Sequence, residues 1–192
     1  MALEKTAEAR HEFYESQAWM FPPDTLRHNT LVQNCMIPLF STRKRRGYEV
    51  FTTGMMLEVI PGRYYTYPDL MVLDASHYDN DACVLHNPRA IIEVLDPLWA
   101  ERDRAWKCAH YRQITALQQY FLVSQKQQLV ESYRRTADGA WSHELFTQAD
   151  DVLTIADTGF QLTLRQIYDE VDVPPLQPQF PSFEDVIKTP IR

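Results

Sequence analysis

"YPDLMVLDAS" (residues 67–76) and "PRAIIEVLDP" (residues 88–97) are two short apolar runs, each carrying a carboxylate among aliphatic neighbours, Asp69 in the first and Glu93 in the second. Unbroken apolar runs of this length, bounded by proline, predict strands covered on both faces. A buried strand has no structural need for a charge. Two carboxylates brought together out of water repel, and one takes a proton unless a cation joins them. Carboxylate oxygens, a backbone carbonyl and water suit Mg²⁺ or Mn²⁺ as that cation. On spacing alone, two acids at strand edges facing solvent would look the same.

The stretch after Glu93 narrows the choice. Asp96 can cap a helix whose first turn tolerates Pro97, and "LWAERDRAWKCAHYRQI" (98–114) predicts that helix. Asp103, Lys107 and Tyr111 fall at i, i+4 and i+8 and share one face. That stripe either points outward as a solvated Asp–Lys pair or folds back across the Glu93 strand.

Elsewhere the pattern alternates. Residues 1–23 predict an amphipathic helix or arm stopped by Pro22 and Pro23. A second helix starts near Asp24 or Thr25, with Leu26, Leu31, Val32, Cys35 and Leu39 as its apolar stripe; Pro38 should kink it or locally end it. "YEVFTT" (48–53) and "MMLEVI" (55–60) flank Gly54 and predict a hairpin. "DASHYDNDA" (74–82) predicts a loop. "QYFLVSQ" (119–125) and "QLVESYRR" (128–135) predict a second hairpin, "WSHELFT" (141–147) a further strand and "LTLRQIYDEV" (162–171) a short helix. The chain thus divides into an N-terminal helix or arm (1–23), one domain (24–172) and a Pro-rich tail (173–192). The element order predicts a mixed α/β fold, α+β-like, with a mixed sheet flanked by helices and additional antiparallel hairpins.

With 192 residues and 45% hydrophobic content, the chain can bury a sizeable core. Three scattered cysteines exclude a disulfide framework, no CxxC pair suggests zinc, and no segment has the length of a membrane span or the core of a signal peptide. The expectation is a soluble cytoplasmic protein. A net charge of −7 argues against indiscriminate binding to nucleic acid. Local basic clusters remain: Arg43, Lys44, Arg45 and Arg46, and separately Arg102, Arg104 and Arg112. The dispersed His77, His86 and His110 give no histidine cluster of the kind a small-molecule metal hydrolase uses.

A proline–aspartate pair on one strand followed by an acid in an apolar strand resembles the PD-(D/E)XK nuclease superfamily. The closer resemblance is to its bacterial restriction-endonuclease-like family, in which the catalytic lysine has moved to the following helix. "YPDLMVL", "PRAIIEVLDP", "DRAWKCAHYRQI" and "LQQYFLVSQ" carry the match, and "RHNTLV" (27–32) resembles the family's first helix. Leu95 stands where the wider superfamily has its lysine, which makes Lys107 the replacement. Leu98 and Trp99 depart from the small hydroxyl residues usual there. The acid often found on the superfamily's first helix has no clear counterpart; His28, Gln33 and Asn34 are the nearby polar residues.

The resemblance implies a restriction-endonuclease-like core and a Mg²⁺- or Mn²⁺-dependent endonuclease acting on DNA, working as a homodimer. Asp69, Glu93 and the Val94 carbonyl would hold the metal, and Lys107 would complete the catalytic set. His28, Asp103 and Tyr111 would support it or contact substrate, and Arg43, Lys44, Arg45, Arg46, Arg102 and Arg104 would face DNA. The alternative is a catalytically inactive nuclease fold serving as a DNA-binding or assembly module.

Overall fold

A computed structural model of the chain describes residues 11–20, 23–75 and 78–176. The strands, in chain order, are β1 (His11–Tyr14), β2 (Gln17–Met20), β3 (Tyr48–Thr52), β4 (Met56–Ile60), β5 (Tyr64–Thr66), β6 (Leu70–Asp74), β7 (Val84–Leu85), β8 (Ala90–Leu95), β9 (Gln119–Ser124), β10 (Val130–Arg135), β11 (Trp141–Phe146), β12 (Val152–Ile155) and β13 (Phe160–Thr163). The helices are α1 (Leu26–Arg46), a π-helical segment Arg102–Lys107 that continues into α2 (Cys108–Tyr111), and α3 (Leu164–Ile167).

Six strands form the main sheet in the order β11-β10-β9-β8-β6-β3. Only β8 and β9 run parallel in it. Parallel neighbours need a long crossover, and this one carries the helix from Arg102 to Tyr111. On one face of the sheet, Leu31, Val32, Cys35 and Leu39 of α1 pack on Leu70, Val72, Ala90, Ile92 and Val94, beside the β12–β13 hairpin. On the other, Met71, Leu73, Ile91, Leu95 and Leu122 meet Cys108 and Tyr111 of α2, together with Leu57, Val59 and Tyr64 of a second sheet ordered β2-β1-β5-β4-β7. Burial on both sides is why β6 and β8 read as continuous apolar runs. Each fully buried aliphatic side chain there is worth roughly 1.5–3 kcal/mol.

α1 is capped by Thr25, whose hydroxyl accepts the His28 N–H at 3.1 Å, and ends at Gly47 in the left-handed conformation (φ 72°). Pro38 does not end the helix, which continues through it to Arg46.

Two expectations need correction. Residues His11–Met20 are not helical: β1 and β2 form a hairpin whose two-residue loop, Glu15 and Ser16, has positive φ at both positions, the geometry that matches strand twist. Its pairing with β5, Phe13 opposite Tyr65, outweighs local helix preference. Nor do β3 and β4 form a hairpin. β3 pairs with β6 in the main sheet and β4 with β5 in the second, and Gly54 at φ 126° lets the chain pass between them.

The C-terminal "LTLRQIYDEV" stretch splits into the end of β13 and α3, which Thr163 and Gln166 start with a reciprocal capping box. Of the Pro-rich tail, Pro174 and Pro175 dock on Gln128; positions 177–192, like 1–10, lie outside the described residues.

Candidate active site

Asp69 lies just before β6, at the point where the β6–β8 ladder stops. The last paired residues are Leu70 and Ile92. Two residues further along β8, the Val94 N–H meets a side chain instead of a strand: Asp69 Oδ2 accepts it at 2.7 Å. Within a strand, one residue's N–H and C=O point to the same neighbour, so the Val94 carbonyl faces the same opening as the Asp69 carboxylate. Oδ1 of Asp69 is 3.0 Å from His28 Nε2 on the first turn of α1. Thr53 donates its N–H to the Asp69 carbonyl at 3.1 Å, so both the backbone and the side chain of this residue are fixed.

Glu93 follows the alternation of β8 onto the α2 face, where Lys107 Nζ sits 3.0 Å and the Tyr111 hydroxyl 2.8 Å from its Oε1. The Asp103–Lys107–Tyr111 stripe therefore folds inward. Lys107 is 4% exposed, which removes the alternative of a solvated helix face. Asp103 Oδ1 is 3.3 Å from Lys107 Nζ. The wider π-helical turn holds both residues buried, a helix irregularity frequent at functional sites.

Glu12, on β1, was not anticipated as part of this cluster. Its carboxylate is buried 3.2 Å from Lys107 Nζ, accepts from the Thr66 hydroxyl and pairs with Arg102. Gln125 was missed as well. From the end of β9 its amide donates to the Leu95 carbonyl at 3.0 Å and lies 3.5 Å from His28 Nδ1, while its oxygen accepts from Thr25 at 3.1 Å.

The electrostatics follow from burial and proximity. Burial pushes the Glu93 carboxyl up to about 8; Lys107 pulls it down, but Asp69, Asp103 and Glu12 add to the rise. Burial also raises Asp103 against the pull of Lys107. For Lys107, burial works against the charge, yet Glu12 and Glu93 outweigh it and hold the amine protonated well above its usual range. For Glu12, burial is overcome by Lys107 and Arg102, and its carboxyl stays below the ordinary value. His28 is lifted above its usual range because the Asp69 carboxylate outweighs burial.

The predicted basic surface is placed differently. Arg43 pairs with Glu49 at 3.1 Å and stacks on Phe40 in the last turn of α1. The backbone of residues 43–46 is the last turn of α1, fifteen or more positions beyond His28, roughly 22 Å along the helix axis. Arg102 is taken up by Glu12, and Arg104 by Glu131 at 2.6 Å.

Among the described residues no group of three or more His, Cys, Asp or Glu is gathered as a ready-made metal cage. A cage is not what Mg²⁺ needs, since it keeps several waters and binds through one or two carboxylates. Asp69, Glu93 and the Val94 carbonyl are an all-oxygen donor set of that type; burial first, and then repulsion from Asp69, Asp103 and Glu12, raises the Glu93 carboxyl, and a bound cation would favour its ionised form. The residues fit. Among the described residues no helix is long and apolar enough to cross a membrane.

Comparison with known proteins bears on the fold and the family. A solved structure from Anabaena variabilis ATCC 29413, described as "a putative nuclease belonging to DUF820", superposes with a TM-score of 0.70 at 19% identity, covering 84% of this chain and 91% of its own. At that identity the likeness establishes the fold, a restriction-endonuclease-like core. Two uncharacterized proteins of Synechocystis sp. (strain ATCC 27184 / PCC 6803 / Kazusa) are similar in sequence. One, sll1609, is 32% identical over 140 residues, 72% of this chain and 79% of that protein. The other, slr1290, is 25% identical over 166 residues, 86% of each. The family model described as "Uma2: Putative restriction endonuclease" matches residues 1–165, and the chain belongs to that family, within the PD-(D/E)XK superfamily.

Proposed function

We propose that this protein is a nuclease, and specifically a Mg²⁺- or Mn²⁺-dependent endonuclease hydrolysing DNA phosphodiester bonds. The family and the fold neighbour support the nuclease assignment. The observation that carries the finer assignment is a buried run of contacts where the β6–β8 ladder ends: Asp69 accepts the N–H of Val94, and Glu93, the residue next to it, lies 3.0 Å from Lys107 Nζ. Asp69, Glu93 and the Val94 carbonyl would hold the cation, which when bound polarises a phosphate oxygen and makes its water more acidic.

The protein's own groups do the rest. Lys107, kept protonated, orients the attacking water beside Glu93 or offsets charge developing on the phosphorus. Tyr111 fixes the Glu93 rotamer through its hydroxyl, Asp103 steadies the ammonium, and His28 holds Asp69 in the orientation that also meets Val94. Cutting both strands of a duplex takes two such sites, so the functional unit is a two-fold homodimer. Arg43, Lys44, Arg45 and Arg46, in the last turn of α1, are assigned to the flanking duplex; Arg102 and Arg104 reach phosphates only by exchanging their acidic partners.

The test is supercoiled plasmid incubated with Mg²⁺ or Mn²⁺, alongside calorimetry with Mn²⁺ alone. Nicking or linearisation by the wild type, lost together with Mn²⁺ uptake in Asp69→Ala, is the expected result. DNA binding without metal uptake or cleavage would instead identify an inactive binding module.

A further inference from the structure

We propose that Glu12, on the N-terminal hairpin, is a positioning residue that keeps the Lys107 ammonium in place when Glu93 is committed to a cation; this rests on the nuclease function proposed above. Lys107 Nζ touches three carboxylates, Glu93 at 3.0 Å, Glu12 at 3.2 Å and Asp103 at 3.3 Å. Glu93 cannot serve a cation and the lysine equally. As its charge turns to the cation, a buried ammonium is left next to a second positive centre, and an ammonium out of water needs compensation. Asp103 supplies charge but stands four residues away on the same helix, so it moves with Lys107 and gives no fixed point outside that helix.

Glu12 does. It comes from a different element, anchored through the β1–β5 pairing. Its carboxylate is held on its other sides by the Thr66 hydroxyl on β5 and by Arg102. It is 3% exposed, so its charge acts on Lys107 with little solvent screening. The hairpin therefore brings a carboxylate to Lys107 from outside both β8 and the helix that carries the lysine.

Glu12→Gln keeps the shape and one acceptor oxygen for Thr66 and Lys107, removes the charge, and turns the oxygen that faces Arg102 into an amide N–H₂. Its kcat should fall about 10–100-fold, with KM for DNA and Mn²⁺ affinity by calorimetry close to wild type, while Tm falls because Lys107 and Arg102 lose a buried partner; the loss of turnover in folded molecules is the discriminating readout. A purely architectural role would lower Tm and leave the turnover of folded molecules unchanged. Wild-type kcat in Glu12→Gln overturns the proposal. So does lost Mn²⁺ affinity, which would make Glu12 a ligand. Should the variant not fold, or the wild type not cleave, a crystal structure of the wild type with Mn²⁺ decides. Nζ should remain hydrogen-bonded to Glu12 and withdraw from Glu93, and an ammonium that leaves Glu12 refutes the assignment. A wild type that binds Mn²⁺ without cleaving any DNA removes the nuclease function but leaves this structural readout; one that takes up no Mn²⁺ overturns both.

Discussion

Asp69 accepts the backbone N–H of Val94, the residue next to Glu93, at 2.7 Å. A side chain thus replaces the ladder bond that β6 no longer supplies, and it ties the first acid to the strand that bears the second. Removing it does two separable things. Asp69→Ala leaves a buried N–H without its acceptor and His28 without its partner, a loss of about 1–3 kcal/mol in unfolding experiments. Asp69→Asn retains an acceptor for Val94 and should lose less. Both should abolish Mn²⁺ binding in calorimetry. Site-specific uptake by Asp69→Ala would sink the metal assignment.

Lys107 Nζ lies within 3.3 Å of three buried carboxylates, Glu12, Glu93 and Asp103. Lys107→Ala should keep Mn²⁺ binding while cleavage drops by several orders of magnitude; normal nicking would refute its role. The same substitution leaves three carboxylates facing one another without the ammonium. Breaking a buried pair of this type costs about 3–5 kcal/mol. Because a divalent ion relieves that repulsion, Mn²⁺ should stabilise the variant against urea more than it stabilises the wild type. Equal stabilisation would mean that the ion does not sit beside these acids.

The parts of this site that repeat along the chain were legible in the sequence. Asp69 and Glu93 stand out because each interrupts an apolar run, and Asp103, Lys107 and Tyr111 because helical spacing aligns them. Pairing partners carry no such signal. "HEFYE" has the look of a surface segment, and only its registration against Tyr64 and Tyr65 brings Glu12 inward. Gln125 likewise ends an ordinary strand, and its burial depends on where α1 crosses. The β3–β4 stretch has hairpin spacing around Gly54, yet each half buries more apolar surface in a different sheet. Local chemistry was readable; long-range pairing was not.

Gln125 ties the start of α1, through the Thr25 cap and the His28 ring, to the Leu95 carbonyl of β8. Gln125→Ala should loosen His28 and through it Asp69, lowering Mn²⁺ affinity about 10–100-fold, the usual effect of losing such outer support. Thr25→Ala should cost about 1 kcal/mol as a lost helix cap and weaken metal binding less, since His28 keeps Asp69. If calorimetry ranks the two variants the other way, the amide is not the support of this histidine.

Glu93 also sets a pH dependence whose sign can be worked out. In the metal-free protein its carboxyl titrates at about 8, against an ordinary value of 4.5. Between those values the folded protein holds a proton that the unfolded chain has released. Stability rises with pH only where the unfolded chain binds more protons, so in this window the Glu93 contribution falls as pH rises, and it levels off above about 8. Glu12 acts oppositely: held below its ordinary value, it stabilises the fold above about pH 4.5 and loses that contribution as acid protonates it. Metal-free Tm should therefore decline by a few degrees from pH 5 to pH 8; His28, also raised, adds to that decline, so Glu93→Gln should reduce it and leave the His28 part. A bound divalent ion competes with the Glu93 proton, so Mn²⁺ affinity should climb over the same range and saturating Mn²⁺ should hold Tm level. Scanning calorimetry across this range, with and without Mn²⁺, reads both effects; a decline that persists unchanged in Glu93→Gln would place its origin in another group and mean that the Glu93 carboxyl is not raised.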